Sequence, residues 1–329
     1  MNRLPLNVIL LAATLLLVGL LIASVLLGSV PLNLANALNL TDLSTDRTIL
    51  FELRLPRALL AIVVGSALGA TGAAYQALFR NPLADPFIVG SSSGAAVGAV
   101  LMIVFGFASI GGAALGAFAG ALFAVWFVYG YAAVRRLPSV SLLLVGSTLS
   151  TMLGAVVWLL LAIHDHQLPR TLSWLLGGLA GSSWFTVGLA SGCVLIAVSV
   201  LVMLGKPLDA AVLGDDVATS LGYRARTIAA WTLFAGSIAV AAAVASAGII
   251  GFVGLIAPHL ARPLVGGTQR RTILLSALLG SALVQSADLL ARTVVAPVEL
   301  PLGVVTAIIG GPVFLWVLGR SLLLGARTP

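Results

Sequence analysis

Apolar runs about as long as a membrane is thick recur along almost the whole chain, separated only by short polar segments. Of the 329 residues, 60% are hydrophobic and only 8% are charged, which is too little charge to cover a soluble globule. A membrane-spanning helix needs roughly 20 apolar residues, so the chain has room for about ten spans and little else. The sequence therefore predicts an all-α, polytopic integral membrane protein, with residues 1–329 forming a single transmembrane domain.

Proline, glycine and charged residues mark the ends of the predicted spans. The first run is longer than the apolar core of a signal peptide, so we interpret it as a span. The ten predicted helices cover residues 8–28, 56–79, 87–107, 112–134, 140–163, 187–205, 228–247, 249–265, 272–292 and 301–324.

The basic residues are distributed unequally between the two sides of these spans. With the N-terminus inside, twelve of the 17 lysines and arginines lie on the inner side, leaving outside Arg47, Arg54, Arg57, Arg170 and Arg292. Cytoplasmic loops carry such an excess, so both termini are expected in the cytoplasm. The basic residues are scattered singly between apolar runs, which makes nucleic acid an unexpected partner and membrane lipid an expected one.

The residue types needed for catalysis are largely missing. No GxxxxGK[ST] phosphate loop occurs, so we do not expect the chain to hydrolyse ATP by that route. His164, Asp165 and His166 fall in a predicted outer loop, and we interpret them as solvated rather than as metal ligands. Cys193 is the one cysteine. We therefore expect no catalytic residue, no metal site and no cofactor bound by this chain.

Two other function classes lack their residues as well. A stand-alone secondary transporter or channel should carry polar or charged coupling sites at mid-membrane, and a membrane enzyme should carry a catalytic constellation. Asp288 is the one acid placed within a predicted helix, and Arg292, four residues later, is its natural partner. Both classes are therefore disfavoured.

Three outer arginines are exceptions to the inward bias of positive charge. Arg54 and Arg57 lie at the outer mouth of the second predicted helix, and Arg292 lies at the outer end of the ninth. Basic residues in this position indicate an anionic partner outside, although they could instead be anchors whose charged ends reach the membrane surface.

The longest polar stretch on the inner side is LGKPLDAAVLGDDVATSLGYRAR, residues 204–226. Pro207, Gly214 and Gly222 divide it into two short predicted helices. Such a shape suits docking with a cytoplasmic protein better than merely joining two spans.

Residues 54–99, RLPRALLAIVVGSALGATGAAYQALFRNPLADPFIVGSSSGAAVGA, closely resemble the permease subunits of ABC importers for ferric siderophores, haem and cobalamin, the FecCD/BtuC-like family. The later strings GFVGLIAPHLAR (251–262) and ELPLGVVTAIIGGPVFLWVL (299–318) resemble the same family in the same order. The resemblance implies a type II ABC importer permease fold in a bacterial or archaeal cytoplasmic (inner) membrane. It also implies a homodimer with the translocation path at its interface, two cytoplasmic ATPase subunits that carry ATP and Mg, and an extracytoplasmic substrate-binding protein.

The resemblance further implies roles for particular residues. Arg54, Arg57 and Arg292 match arginines that dock the binding protein. The loop 206–226 matches the segment that docks on the ATPase, with candidate residues Pro207, Leu213, Gly214, Asp215 and Asp216. The cytoplasmic gate matches Asn81, Leu83, Ser139 and Val140. A ferric siderophore or haem is the first expectation for the cargo, with cobalamin as the alternative.

Overall fold

The computed structural model describes residues 5–38, 45–107, 111–135 and 141–325. Regular structure within these residues is helical, without strands, which confirms the all-α prediction. Seven helices in the described part of the chain are long and apolar enough to cross a membrane. Six of them are α1 (Leu6–Leu26), α6 (Gly112–Val134), α7 (Ser141–Ile163), α9 (Trp184–Met203), α12 (Ala225–Ala247) and α14 (Gln269–Thr293).

The remaining long helix is α4 (Leu55–Leu78), which is extended at its start. A short α3 (Thr45–Thr48) leads through a π-helical turn (Ile49–Arg54) directly into it. Another short helix, α2 (Leu34–Leu38), lies between α1 and α3, and α8 (Leu168–Leu175) lies between α7 and α9. These short segments were not among the ten predicted helices.

Three further apolar helices occupy the positions of the third, eighth and tenth predicted spans. They are α5 (Ser91–Val104), α13 (Val253–Val265) and α15 (Leu302–Gly325). The span predicted at 249–265 begins four residues later than expected, because Gly248 and Phe252 adopt positive φ angles of 69° and 67°. With 13 residues, α13 rises only about 20 Å, less than the roughly 30 Å of a hydrocarbon core.

Helix α4 forms the centre of the bundle and packs against α9, α12, α13 and α14. Its close contacts with α13 and α14 are made at glycines, as expected for helices that approach closely in lipid. A methyl group added at Gly72 would collide with the backbone of Gly254 in α13, and one at Gly65 would collide with Gly280 in α14. Gly69 and Ser276 make the same kind of contact one turn further along.

The bundle has two polar ends, the Arg57 end and the α11 end. The Arg57 end contains the start of α4 and the end of α14. The α11 end contains the other end of α4, together with α10 (Gly205–Leu213) and α11 (Asp215–Ser220).

Candidate functional sites

A cluster of buried charges lies at the Arg57 end, between α4 and α14. Arg57 Nε donates to Asp288 Oδ1 at 2.9 Å and to Oδ2 at 3.2 Å, and Nη2 forms an ion pair with Oδ1 at 2.9 Å. Its Nη1 donates to both carboxylate oxygens of Glu299, at 3.0 and 2.9 Å. Arg292 Nε lies 3.4 Å from Asp288 Oδ2, which confirms the pairing expected from their four-residue spacing. One guanidinium thus joins two carboxylates that are close in space but distant from it in sequence.

Two arginines at the same end hold the last turn of α1. Arg54 Nη1 donates to the carbonyls of Val25 and Leu26, at 3.1 and 2.7 Å. Arg292 Nη2 donates to the Ser24 carbonyl at 2.6 Å and also contacts the Ser24 hydroxyl. The final carbonyls of a helix have no partner within the helix and carry its negative dipole end, so cations are favoured there. Both arginines therefore anchor α1 to the bundle.

The three predicted docking arginines consequently differ in accessibility. The Arg54 and Arg292 residues are only 5% and 3% exposed, whereas the Arg57 side chain is 13% exposed and its partner Glu299 is 35% exposed. Arg57 and Glu299 thus form the part of the cluster that reaches the surface. Ser24 and Glu299 were not recognised as part of this site from the sequence, because both belong to it only through contacts between distant segments.

At the α11 end, the polar segment 204–226 forms the two short helices that its prolines and glycines predicted. Gly214 separates them with φ 132°, a backbone conformation that favours glycine. Pro207 lies in α10, and Leu213, at the end of that helix, is 70% exposed. Asp215 and Asp216 form the first turn of α11, where carboxylates suit the positive end of the helix dipole.

This helix pair is tied to the transmembrane bundle at two points. Arg80, just beyond α4, donates from Nε to the Ala211 carbonyl at 2.8 Å and forms an ion pair with Asp215. Asp209 accepts the Gln269 backbone N–H at 2.7 Å, at the start of α14. These contacts connect the α10–α11 pair to the end of α4 and to the start of α14, the two helices that also meet at the Arg57 end.

The turn between α4 and α5 contains two of the predicted gate residues. Asn81 Oδ1 accepts the Leu83 backbone N–H at 2.9 Å, and the Leu83 side chain is exposed. Pro86 packs against Gly254, at the start of α13. The turn is irregular, and α5 begins at Ser91, four residues after the predicted start of the third span. The other two predicted gate residues, Ser139 and Val140, lie outside the described residues.

Asp85, in the same turn, has a carboxyl group with a raised pKa. Its Oδ1 accepts the Phe87 backbone N–H at 2.8 Å. Burial raises the pKa of the Asp85 carboxyl from 3.8 to about 6, while the hydrogen bond from Phe87 acts in the opposite direction.

Comparison with known proteins assigns this arrangement to a family. Residues 15–320 match the model of the FecCD transport family. The chain is 38% identical over 312 residues to the hemin transport system permease protein HmuU of Yersinia pestis, covering 93% of each chain. It is 41% identical over 285 residues to the vitamin B12 import system permease protein BtuC of Vibrio cholerae, covering 84% of this chain and 85% of that protein.

Solved structures agree with the sequence comparison. A structure described as an inward-facing conformation of a metal-chelate type ABC transporter matches with a TM-score of 0.86 and 32% identity, over 95% of this chain and 99% of that one. PsaBC of Streptococcus pneumoniae in complex with Fab, with a TM-score of 0.58 and 15% identity, shares the fold. With its family match extending over almost the whole bundle described above, the chain belongs to the FecCD transport family of membrane permeases.

Proposed function

We propose that this chain is the membrane permease subunit of an ATP-driven importer for a metal chelate, with a ferric siderophore or haem as the cargo. The observation that carries the proposal is the family match over residues 15–320, supported by relatives whose names specify hemin and vitamin B12. Cobalamin is the alternative cargo. A metal chelate also agrees with the description of the solved structure that matches at a TM-score of 0.86.

The proposed partners are a second copy of the chain, two cytoplasmic ATPase subunits and a substrate-binding protein. The α10–α11 pair is the proposed ATPase dock, because it exposes Leu213 and is linked to α4 through Arg80. The chain itself acts as a transport subunit, and ATP hydrolysis would occur on the separate ATPase. Arg57 is the proposed centre of the binding-protein dock, with Arg54 and Arg292 supporting it from within by holding α1.

The proposed location is the inner membrane, with the α11 end and both termini in the cytoplasm. The excess of lysine and arginine at that end supports this orientation. The Arg57 end would then face the binding protein outside.

Helix α7 supplies a surface suited to the transport path. Ser147, Thr148 and Thr151 are exposed on it, and each hydroxyl donates to a carbonyl three or four residues earlier in the same helix. The grouped hydroxyls make this face of α7 more polar than a face of aliphatic side chains, which supports contact with water or with another helix. We propose that this face lines the path between the two copies.

The cargo can be tested by reconstituting the chain into liposomes with its ATPase and binding protein. ATP-dependent uptake of labelled haem or ferric siderophore is expected, with cobalamin taken up poorly. Uptake of cobalamin alone would establish the alternative cargo. ATP hydrolysis by the purified chain in the absence of the ATPase would contradict the proposed division of labour.

The path can be tested separately with cysteine labelling. In a Cys193→Ser background, Thr151→Cys should react with a membrane-impermeant thiol reagent, while Leu195→Cys on the exposed apolar face of α9 should not. Equal protection of both cysteines would remove α7 from the path and leave the cargo proposal intact.

A further inference from the structure

The seam between α6 and α12 contains an apolar groove for which the proposed transport function has no use. It has a volume of about 670 Å³, and half of its ten lining residues are aromatic, namely Phe123, Trp126, Tyr129, Trp231 and Phe234. The Trp126 and Trp231 residues are 69% and 52% exposed, so the groove is open along the bundle surface. In a membrane protein, such an opening must be filled by lipid or by another protein.

Two cations lie at the α11 end of this groove. Arg135 directly follows α6, and its guanidinium carbon is 5.9 Å from the Tyr131 ring centroid. Arg226, in the first turn of α12, donates from Nη2 to the Ala133 carbonyl in the last turn of α6, at 3.5 Å. Both arginines are exposed. They therefore form a cationic edge where the two helices leave the apolar region.

These two arginines are not neutralised within the described part of the chain. No ion pair links either of them to a carboxylate there. Of the three acids in the neighbouring α10–α11 segment, Asp215 pairs with Arg80, Asp209 binds the Gln269 backbone N–H, and Asp216 forms no ion pair with either arginine. The cationic edge is available to an anionic ligand from outside the chain.

The distances fit one leaflet of a bilayer. At about 1.5 Å per residue, Tyr129 lies about 9 Å and Phe123 about 18 Å from Arg135 along α6. On α12, Trp231 and Phe234 lie about 8 and 12 Å from Arg226. Half of a hydrocarbon core is about 15 Å thick. The groove thus occupies the depth of an acyl chain, and the arginines occupy the depth of its phosphate.

We propose that this groove is a binding site for an anionic phospholipid, with an acyl chain between α6 and α12 and the phosphate on Arg135 and Arg226. A second copy of the chain fits the groove less well, because a two-fold contact through this face would bring the arginines of both copies together. A zwitterionic lipid would fill the same groove but gain less from the two cations. The proposal requires only that α6 and α12 cross a membrane. Its test is therefore independent of which cargo the chain transports.

Trp126 and Trp231 line the groove, so their fluorescence can report whether a lipid occupies it. The full chain is placed in mixed micelles of phosphatidylcholine with increasing fractions of phosphatidylglycerol whose acyl chains are brominated, and quenching of tryptophan fluorescence is measured. Quenching that disappears when Trp126 and Trp231 are both replaced by Phe is assigned to the tryptophans of the groove. We expect brominated phosphatidylglycerol to quench the groove tryptophans at a lower mole fraction than brominated phosphatidylcholine does. Each arginine should lower the mole fraction needed by roughly five-fold.

Variants of the two arginines decide the proposal. In an Arg135→Gln, Arg226→Gln double variant, the two brominated lipids should quench the groove tryptophans at the same mole fraction. The corresponding double lysine variant should keep most of the preference for phosphatidylglycerol. Arg271→Gln, which removes an exposed cation from the start of α14 at the same end of the bundle, is the matched control and should keep the full preference. Equal quenching by both lipids in the unmodified chain would overturn the proposal. So would a preference that survives the double glutamine variant, or a groove signal that neither lipid quenches because a second copy covers it.

Discussion

Arg57 and Asp288 form a two-point ion pair between the first turn of α4 and the last turns of α14, with Nε and Nη2 each 2.9 Å from Asp288 Oδ1. Asp288 is fully buried and is shared with Arg292, while Arg57 also holds the partly exposed Glu299. The cluster therefore connects the buried junction of two central helices to the surface at the Arg57 end. Its two carboxylates should contribute very differently to stability and to binding.

The first prediction concerns the buried member of the cluster. Asp288→Asn leaves two poorly solvated guanidinium groups without their shared counter-charge, which should lower the free energy of unfolding by about 3–5 kcal/mol. Glu299→Gln is the matched control, and because Glu299 is partly exposed it should cost about 1 kcal/mol or less. Titration with sodium dodecyl sulfate, followed by circular dichroism, measures both. Similar losses in the two variants would contradict this account.

The second prediction uses the exposed member to test the proposed binding-protein dock. Glu299 competes with any external carboxylate for Arg57, so Glu299→Gln should raise binding-protein affinity, by roughly two- to five-fold at low salt. Arg57→Gln should reduce it. Both effects should shrink at high salt, because screening weakens exposed charge pairs. Titration of the purified binding protein against the permease in nanodiscs measures these changes. Affinities that are unchanged in both variants would remove Arg57 from the dock.

The third prediction concerns the packing of α4 on α13. Gly72→Ala places a methyl group against the Gly254 backbone, which must move, and the variant should be less stable by about 1–3 kcal/mol. Gly188→Ala on α9 meets nothing within 4 Å and should be neutral or up to about 1 kcal/mol more stable, since alanine favours helix. Thermal unfolding in detergent distinguishes them. A neutral Gly72→Ala would mean that the two helices can separate without cost.

The fourth prediction follows from the raised pKa of Asp85. Because the folded-state pKa, about 6, lies above the ordinary value of 3.8, the folded protein binds this proton more tightly than the unfolded chain does. The contribution of Asp85 to stability is therefore fully present below pH 3.8 and is lost as the pH rises to about 6. Asp85→Asn, which keeps an oxygen for the Phe87 N–H, should raise the unfolding temperature more at pH 8 than at pH 5.

Unfolding temperatures of both proteins at the two pH values test this directly. Other titrating groups affect the two proteins equally, so the difference between the proteins isolates Asp85. An equal difference at pH 5 and pH 8 would contradict the shifted pKa.

Much of the local structure was predictable because it depends on neighbouring residues. The spans followed from the length of the apolar runs, and the split of 204–226 into α10 and α11 followed from Gly214, whose backbone conformation disfavours other residues. The pair Asp288–Arg292 followed from its spacing of one helical turn. The late start of α13 was not predictable, because residues 248–252 are as apolar as the helix that follows.

The sequence by itself determined the membrane class, the approximate spans, the family and the presence of three arginines at the outer end of the bundle, against the general inward bias of positive charge. Only the tertiary structure decided what those arginines bind: Arg54 and Arg292 hold the last carbonyls of α1, and Arg57 holds Asp288 and Glu299. Hydropathy and spacing are properties of adjacent residues, and they determine which segments become helices. The partner of a buried charge depends instead on which helix ends meet in space, and Arg57 meets an acid that is 231 residues away.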